Sequence, residues 1–227
     1  MFDYIPKQLE EVKLRISQTA LNAGRQGKEI KLVAVSKTFP SEAILAAYNA
    51  GQRLFGENRV QELSAKNPVL PKDIEWHLIG HLQGNKAAQA LSLADTIHAV
   101  DSEKLLNRLN RLADSIPRKP RILLEVNISG EESKFGAGAD AAMKLAETAA
   151  RCENLEFHGL MTMAPFGAKS RELREIFAGT RELRDSMESE FKITLPELSM
   201  GMSGDFQEAI MEGATLVRIG TAIFGKR

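Results

Sequence analysis

The sequence predicts a (β/α)8 TIM barrel, and three observations predict it. Eight short apolar segments with strand character recur along 227 residues, each separated from the next by a stretch with helical apolar spacing. No Gly-x-Gly-x-x-Gly pattern follows the first strand, as the competing open doubly wound sheet would carry. Hydrophobic residues make up 43% of the chain, enough for one large core, and no linker or low-complexity tract divides it. Residues 1–227 are therefore expected to form one domain.

Residues 3–23 read as an amphipathic helix, with Ile5, Leu9, Val12, Ile16 and Leu21 along one face. The first strand, 31–36, is almost wholly apolar. A helix over 41–50 takes Ser41 as its N-cap and stops at Gly51. Arg53–Phe55 is the second strand and leads through Gly56 into a polar helix from about residue 57. Residues 75–79 give the third strand and 85–91 the next helix. Residues 96–100 give the fourth strand. Asp101 or Ser102 caps the helix 103–115, whose stripe is Leu105, Leu109 and Leu112. The clearest strand is 121–128, followed by a helix over 138–151 and a strand over 155–161. A long helix covers 169–190. The short strand 197–200, the helix 205–211 and the strand 216–219 complete the series. The helix that should follow strand eight is missing, and residues 3–23 are expected to take its place in the outer ring.

Composition excludes several classes. Thirty Lys and Arg balance thirty Asp and Glu without a strong bias along the chain, so no electrostatic funnel for nucleic acid is expected. The one cysteine, Cys152, rules out an intrachain disulfide and multi-Cys zinc sites. Its place at a helix end marks it as structural. The N-terminus lacks the basic-then-apolar pattern of a secretory signal, and no apolar stretch approaches the roughly 20 residues of a membrane span. A cytoplasmic, monomeric protein with a small-molecule partner is expected, since a barrel closes its own sheet edges.

In a barrel, chemistry collects at the C-terminal ends of the strands. Strand one ends on Lys37, an amine delivered by a buried segment. Desolvation favours its neutral form, which can attack a carbonyl; the alternative is a side chain that snorkels into solvent. Ser203-Gly204-Asp205 after strand seven and Gly220-Thr221-Ala222 after strand eight place small residues and open backbone N–H groups where barrels commonly hold phosphate, unless these glycines only make turns. Arg218 interrupts the apolar run 216–219. It needs an acceptor, either a carboxylate such as Glu125 or a ligand atom. His77, His98 and His158 lie within strands and are expected to be satisfied locally, whereas His81 sits at a strand end. The His77 and His81 pair straddles that end, which argues against shared metal ligation. No P-loop and no nucleophile elbow is present.

Taken together, Val35-Ser-Lys-Thr38, Phe55-Gly-Glu-Asn58, Trp76-His-Leu-Ile-Gly80, Leu82-Gln83, Asn85-Lys86, Val126-Asn127, Ser133-Lys134, Gly159-Leu-Met161, Leu198-Ser-Met-Gly-Met-Ser203, Val217-Arg-Ile-Gly220 and Ile223-Phe-Gly225 closely resemble the pyridoxal-phosphate homeostasis protein family over nearly the whole chain. The resemblance implies a fold similar to the barrel domain of alanine racemase and the eukaryotic-type ornithine decarboxylases (the fold-type III arrangement), without a second β domain. It implies that Lys37 forms an aldimine with pyridoxal 5'-phosphate. Ser203, Gly204, Gly220 and Thr221 would hold the phosphate, and Arg218 would approach the pyridine nitrogen. Asn58 would lie near the ring, with His81 and Met200 as neighbours. The chain departs from the family at His81, where proline is usual, and at Gly84, where serine is usual. The loop after strand three is therefore expected to be more flexible.

An arginine donates to an unprotonated pyridine nitrogen and does not readily protonate it, so the ring would stabilise a carbanion only weakly. Two flanking acid/base groups would compensate, but Tyr4 and Tyr48 lie in predicted helices and Cys152 is badly placed. The expected function is intracellular homeostasis of the cofactor, holding it and limiting the free aldehyde. Amino acids or pyridoxal-phosphate-dependent apoenzymes are the expected partners. Lys86 and Lys134 are candidates for aiding exchange or are solvent-exposed. The alternatives are a racemase or related amino-acid enzyme with weak activity and, more distantly, a phosphate-sugar isomerase or aldolase using a lysine imine.

Overall fold

Runs of three to six residues fold as strands here because each is covered on both sides, by helices outside and by the other strands within. The computed structural model describes residues 2–131 and 135–226. Its strands are β1 (Lys31–Val35), β2 (Leu54–Glu57), β3 (Glu75–Leu78), β4 (Thr96–Val100), β5 (Arg121–Glu125), β6 (Glu156–Met161), β7 (Glu197–Ser199) and β8 (Leu216–Ile219). They pair in parallel in chain order, and β8 returns to β1 with Lys31 opposite Leu216 and Val33 opposite Arg218. Closure leaves no free sheet edge.

The helices are α1 (Ile5–Asn22), α2 (Ser41–Asn49), α3 (Val60–Lys66), α4 (Ala87–Leu93), α5 (Glu103–Ala113), α6 (Ala139–Ala150), α7 (Ser170–Phe191), α8 (Phe206–Met211) and α9 (Thr221–Phe224). Among the described residues no helix is long and apolar enough to cross a membrane. Several expectations need correction. The helix placed from residue 57 begins at Val60, because Glu57 completes β2 opposite Leu78. Ser41 is the first residue of α2 and not its cap; Pro40 holds that position, and Ser102 precedes α5 without a side-chain capping bond. Leu21 is exposed, because the face carrying Ile16 continues through Thr19 and Ala20. The four-residue α9 was not anticipated.

Helix α1 takes the expected place in the outer ring, packing against α2, α8 and α9. Tyr4 donates from its hydroxyl to Phe224 O at 2.8 Å. Arg25 Nη1 donates to Ala214 O at 2.8 Å and to Ile210 O at 3.2 Å, satisfying carbonyls at the C-terminal end of α8. One large apolar cluster fills the layer between strands and helices. A smaller one lies inside the barrel, where Val33, Ala99, Leu123, Met161 and Leu216 meet. The remaining interior is polar. Lys31, Glu75, Thr96, Arg121 and Glu197, each the first residue of its strand, line the N-terminal mouth together with His77 and His158.

The β5–β6 ladder slips between Ile122 and Leu123, and Gly159 follows the slip at φ +151°. A Cβ there would lie 1.8 Å from Glu197 O on β7. Gly159→Ala is therefore expected to cost more than about 4 kcal/mol, since strain and a backbone clash combine. A thermal melt checks this. A midpoint within a few degrees of the parent would show that β6 and β7 can separate.

Candidate functional site

Lys37 stands two residues beyond Val35, the last residue of β1, and Asn58 two beyond Gly56, which pairs with Val35. The two half-buried side chains thus start at the same height on adjacent strands. The turn around Lys37 is held from outside the barrel. Thr38 adopts φ +66°, which for a β-branched residue costs on the order of 1–3 kcal/mol. Its N–H donates to Glu62 Oε2 at 2.7 Å, which keeps it there. Lys66 Nζ donates to Ser36 O at 3.1 Å, to Glu57 Oε1 at 2.7 Å and to Glu62 at 3.2 Å. Ser36 Oγ donates to the same Glu57 oxygen at 2.7 Å. The residues on either side of Lys37 are thereby tied to one cluster beneath α3. Glu57 is fully buried, and burial pushes its carboxyl up against the opposing pull of Lys66 and Ser36.

Lys37 lines a cavity of about 270 Å³ whose walls include Val35, Phe39, Gly220, Thr221 and Lys226. Gly220 crosses close to β1, where a Cβ would lie 3.1 Å from Val35 O. Ala222 N donates to Ser203 Oγ at 3.4 Å, joining the loops after β7 and β8. The backbone N–H groups of Ser203, Gly204 and Thr221 meet no acceptor among the described residues, and a Cβ on Gly204 would point into open space. Asp205 Oδ1 accepts from Met202 N at 2.5 Å and shapes this turn.

Arg218 is buried on the inner face of β8. Nη1 donates to Ser199 Oγ at 2.7 Å and Nη2 to Thr162 O at 2.9 Å. These are its acceptors, not Glu125. Burial lowers the guanidinium to about 10, with Asp205 and Glu125 acting against the shift, so it is a cation at neutral pH. Two of its nitrogens serve the protein, and a guanidinium has five N–H bonds in all, so donors remain for a further acceptor.

Lys37, Gly220 and Thr221 meet at the cavity, with Ser203 and Gly204 on the adjoining loop. The Met200 side chain does not join them: it is fully buried in the strand–helix layer. His81 also turns elsewhere, stacking on Phe135 at 4.4 Å and pairing with Asp101 at 3.4 Å. Gly84 opens a short 3-10 turn beside Arg108. Ser133 and Lys134 lie outside the described residues. Cys152 is half-buried on the helix end expected for it, and burial pushes its thiol up. No group of three or more His, Cys, Asp or Glu among the described residues could hold a metal ion. Sequence reasoning missed the Glu57, Lys66 and Glu62 clamp and Lys226. Only the spacing of Glu62 and Lys66 on one helical face was there to be read.

Residues 14–227 match the family described as alanine racemase, N-terminal domain. The pyridoxal phosphate homeostasis protein of Aquifex aeolicus is 41% identical over 222 residues, 97% of each chain. That of Homo sapiens is 40% identical over 234 residues, 96% of this chain and 85% of its own. PipY of Synechococcus elongatus has been solved in two states. Without PLP its structure has a TM-score of 0.89 at 38% identity, covering 97% of this chain and 100% of its own. With PLP bound it has a TM-score of 0.83 at 39% identity, covering 92% and 100%.

Two outcomes follow from the geometry. Lys66→Met leaves Glu57 buried without its cation and should destabilise the fold by about 3–5 kcal/mol in urea unfolding. Adding Glu57→Gln should recover part of that loss, and no recovery would mean the clamp acts otherwise. The second concerns Glu125, raised to about 7 by burial and by Asp101, with Arg218 opposing. Unfolded, it releases its proton near its ordinary 4.5; folded, it keeps it to about 7. Folding takes up a proton across that window, so stability falls by about 3 kcal/mol as pH rises through it. Glu125→Gln should flatten that slope, which urea midpoints at pH 5 and 8 would measure.

Proposed function

Because the chain belongs to the pyridoxal phosphate homeostasis protein family, built on the alanine racemase N-terminal domain, we propose that it binds pyridoxal 5'-phosphate and serves the homeostasis of that cofactor. The observation that carries this reading is the meeting of Lys37 with the loop after β8, to which Ser203 ties the loop after β7, where three backbone N–H groups meet no acceptor among the described residues. When bound, the cofactor supplies an aldehyde open to attack by a primary amine and a phosphate that requires several donors.

This chain's residues fit that group. Lys37 Nζ is the covalent anchor, on a turn held by the Glu57–Lys66–Glu62 cluster. The N–H groups of Ser203, Gly204 and Thr221 take the phosphate oxygens, and Gly220 allows the backbone to run close to β1. Arg218 is the donor to the pyridine nitrogen, with Asn58 beside the ring. Met200 contributes packing behind the site. As a permanent cation on the ring nitrogen, Arg218 disfavours its protonation and weakens the ring as an electron sink. That favours storage and release over turnover. We further propose that residues 1–227 act as one barrel domain, as a monomer in the cytoplasm, with amino acids or apoenzymes as recipients of the cofactor.

Borohydride reduction of the loaded protein followed by peptide mass analysis should place the pyridoxyl group on Lys37, and Lys37→Ala should abolish the adduct. A label on another lysine would overturn the assignment. Ser203→Ala keeps the backbone N–H but removes the hydroxyl, which accepts from Ala222 N and has its own proton to donate to the phosphate; it should weaken binding about 5- to 30-fold in a fluorescence titration, the loss of roughly 1–2 kcal/mol. Rapid loss of α-deuterium from an amino acid would favour an enzyme instead.

A further inference from the structure

A continuous hydrogen-bonded chain runs through the barrel interior from the N-terminal mouth to Arg218. Glu75 on β3 pairs with Arg121 on β5 and lies 3.3 Å from His77 Nε2. His77 Nδ1 is 2.8 Å from His98 Nε2 on β4. His98 Nδ1 is 2.9 Å from Ser199 Oγ on β7, and Ser199 Oγ receives Arg218 Nη1 from β8. His77, His98, Ser199 and Arg218 are all buried. Their links join residues 19 to 101 positions apart and serve no apolar packing.

The two ends give the chain a direction. Arg218 can only donate, and an ionised carboxylate can only accept. Ser199 Oγ accepts from Arg218, and its own proton has one acceptor within reach among the described residues, His98 Nδ1. His98 must then carry its proton on Nε2 and donate to His77 Nδ1. His77 carries its proton on Nε2 and donates to Glu75. In the reverse order, Ser199 would receive two N–H groups and its hydroxyl proton would have no acceptor. Glu75 is already paired with Arg121, so it does not require a second cation.

We infer that Glu75, at the opposite end of the barrel from Lys37, is a positioning residue for Arg218, acting through His77, His98 and Ser199. The chain fixes which guanidinium nitrogen is committed to the protein and which N–H groups stay available for a ligand. This rests on the reading of Arg218 as the donor that meets the cofactor. Burial supports the neutral state of His98, holding it well below the imidazole range, with the cations Arg218 and Arg121 adding to the effect. Glu75 is held at about 2, chiefly by the His77 hydrogen bond, and so remains an acceptor.

Nitrogen-15 histidine spectra of the ligand-free protein test the chain without any substitution. Both His77 and His98 should be neutral and protonated on Nε2 at pH 7. Either ring protonated on Nδ1 would overturn the proposal. In the same ligand-free protein, the Arg218 side-chain N–H signals should persist in the parent and broaden in Ser199→Ala. Signals unchanged in Ser199→Ala would also sink it. With pyridoxal phosphate as the probe, Glu75→Gln should weaken binding about 3- to 30-fold in the parent, and by a factor close to one in the Ser199→Ala background. The same factor in both backgrounds would show that Glu75 acts by another route. If the parent binds no pyridoxal phosphate, the functional reading falls, while the spectra still decide the arrangement of the chain.

Discussion

A guanidinium inside a barrel must be given acceptors, and much of this interior is organised around that demand. Arg218 points inward from β8, where desolvation opposes its charge. Ser199 and the carbonyl of Thr162 answer it directly. Thr162 is in turn fixed, its hydroxyl donating to Val126 O at 2.9 Å. The apolar fill that barrels usually place at mid-height is reduced to Val33, Ala99, Leu123, Met161 and Leu216. Polar contacts occupy much of the rest, although Thr96 Oγ1 and His158 Nδ1 at the N-terminal mouth meet no partner among the described residues. Such a network rigidifies only when every member has a partner, and this one closes from Glu75 to Thr162.

The Lys37 side of the cavity follows a different logic. Lys37 leaves a strand buried on both faces, and its neighbour Thr38 is in a backbone conformation that a β-branched residue avoids. The cluster beneath α3 supplies what holds it, with a buried lysine bridging two carboxylates and a backbone carbonyl. Stability is thus committed outside the barrel to fix an amine within it. The loops after β7 and β8 need no such cost. Their geometry comes from glycines and from the contact between Ser203 Oγ and Ala222 N, which draws two consecutive loops together.

The outer ring closes through α1. Its buried stripe packs where a helix after β8 would sit, and Arg25 and Tyr4 bond carbonyls on the last segments of the chain. The two ends of the sequence are therefore joined beside β1, the strand that carries Lys37. The loop after β8 that walls the cavity is steadied by the same contacts.

The sequence by itself determined the number and order of the strands, because apolar runs and helical spacing are local patterns. Thr96–Val100 matches its expected bounds, and Lys37, Gly220 and Thr221 meet at one cavity because barrel topology sends all strand ends to the same rim. Tertiary structure alone decided which polar residues meet. Glu57 read as the start of a polar helix after Gly56; only the fold shows it buried on β2 with Lys66 reaching it. Met200 read as a ring neighbour, yet its side chain falls on the outer face of its strand. His77, His98, Ser199 and Arg218 looked like separate residues in separate strands. Which inward side chains touch across a barrel depends on the stagger between strands, and that is set by closure of the whole ring, not by any segment of sequence.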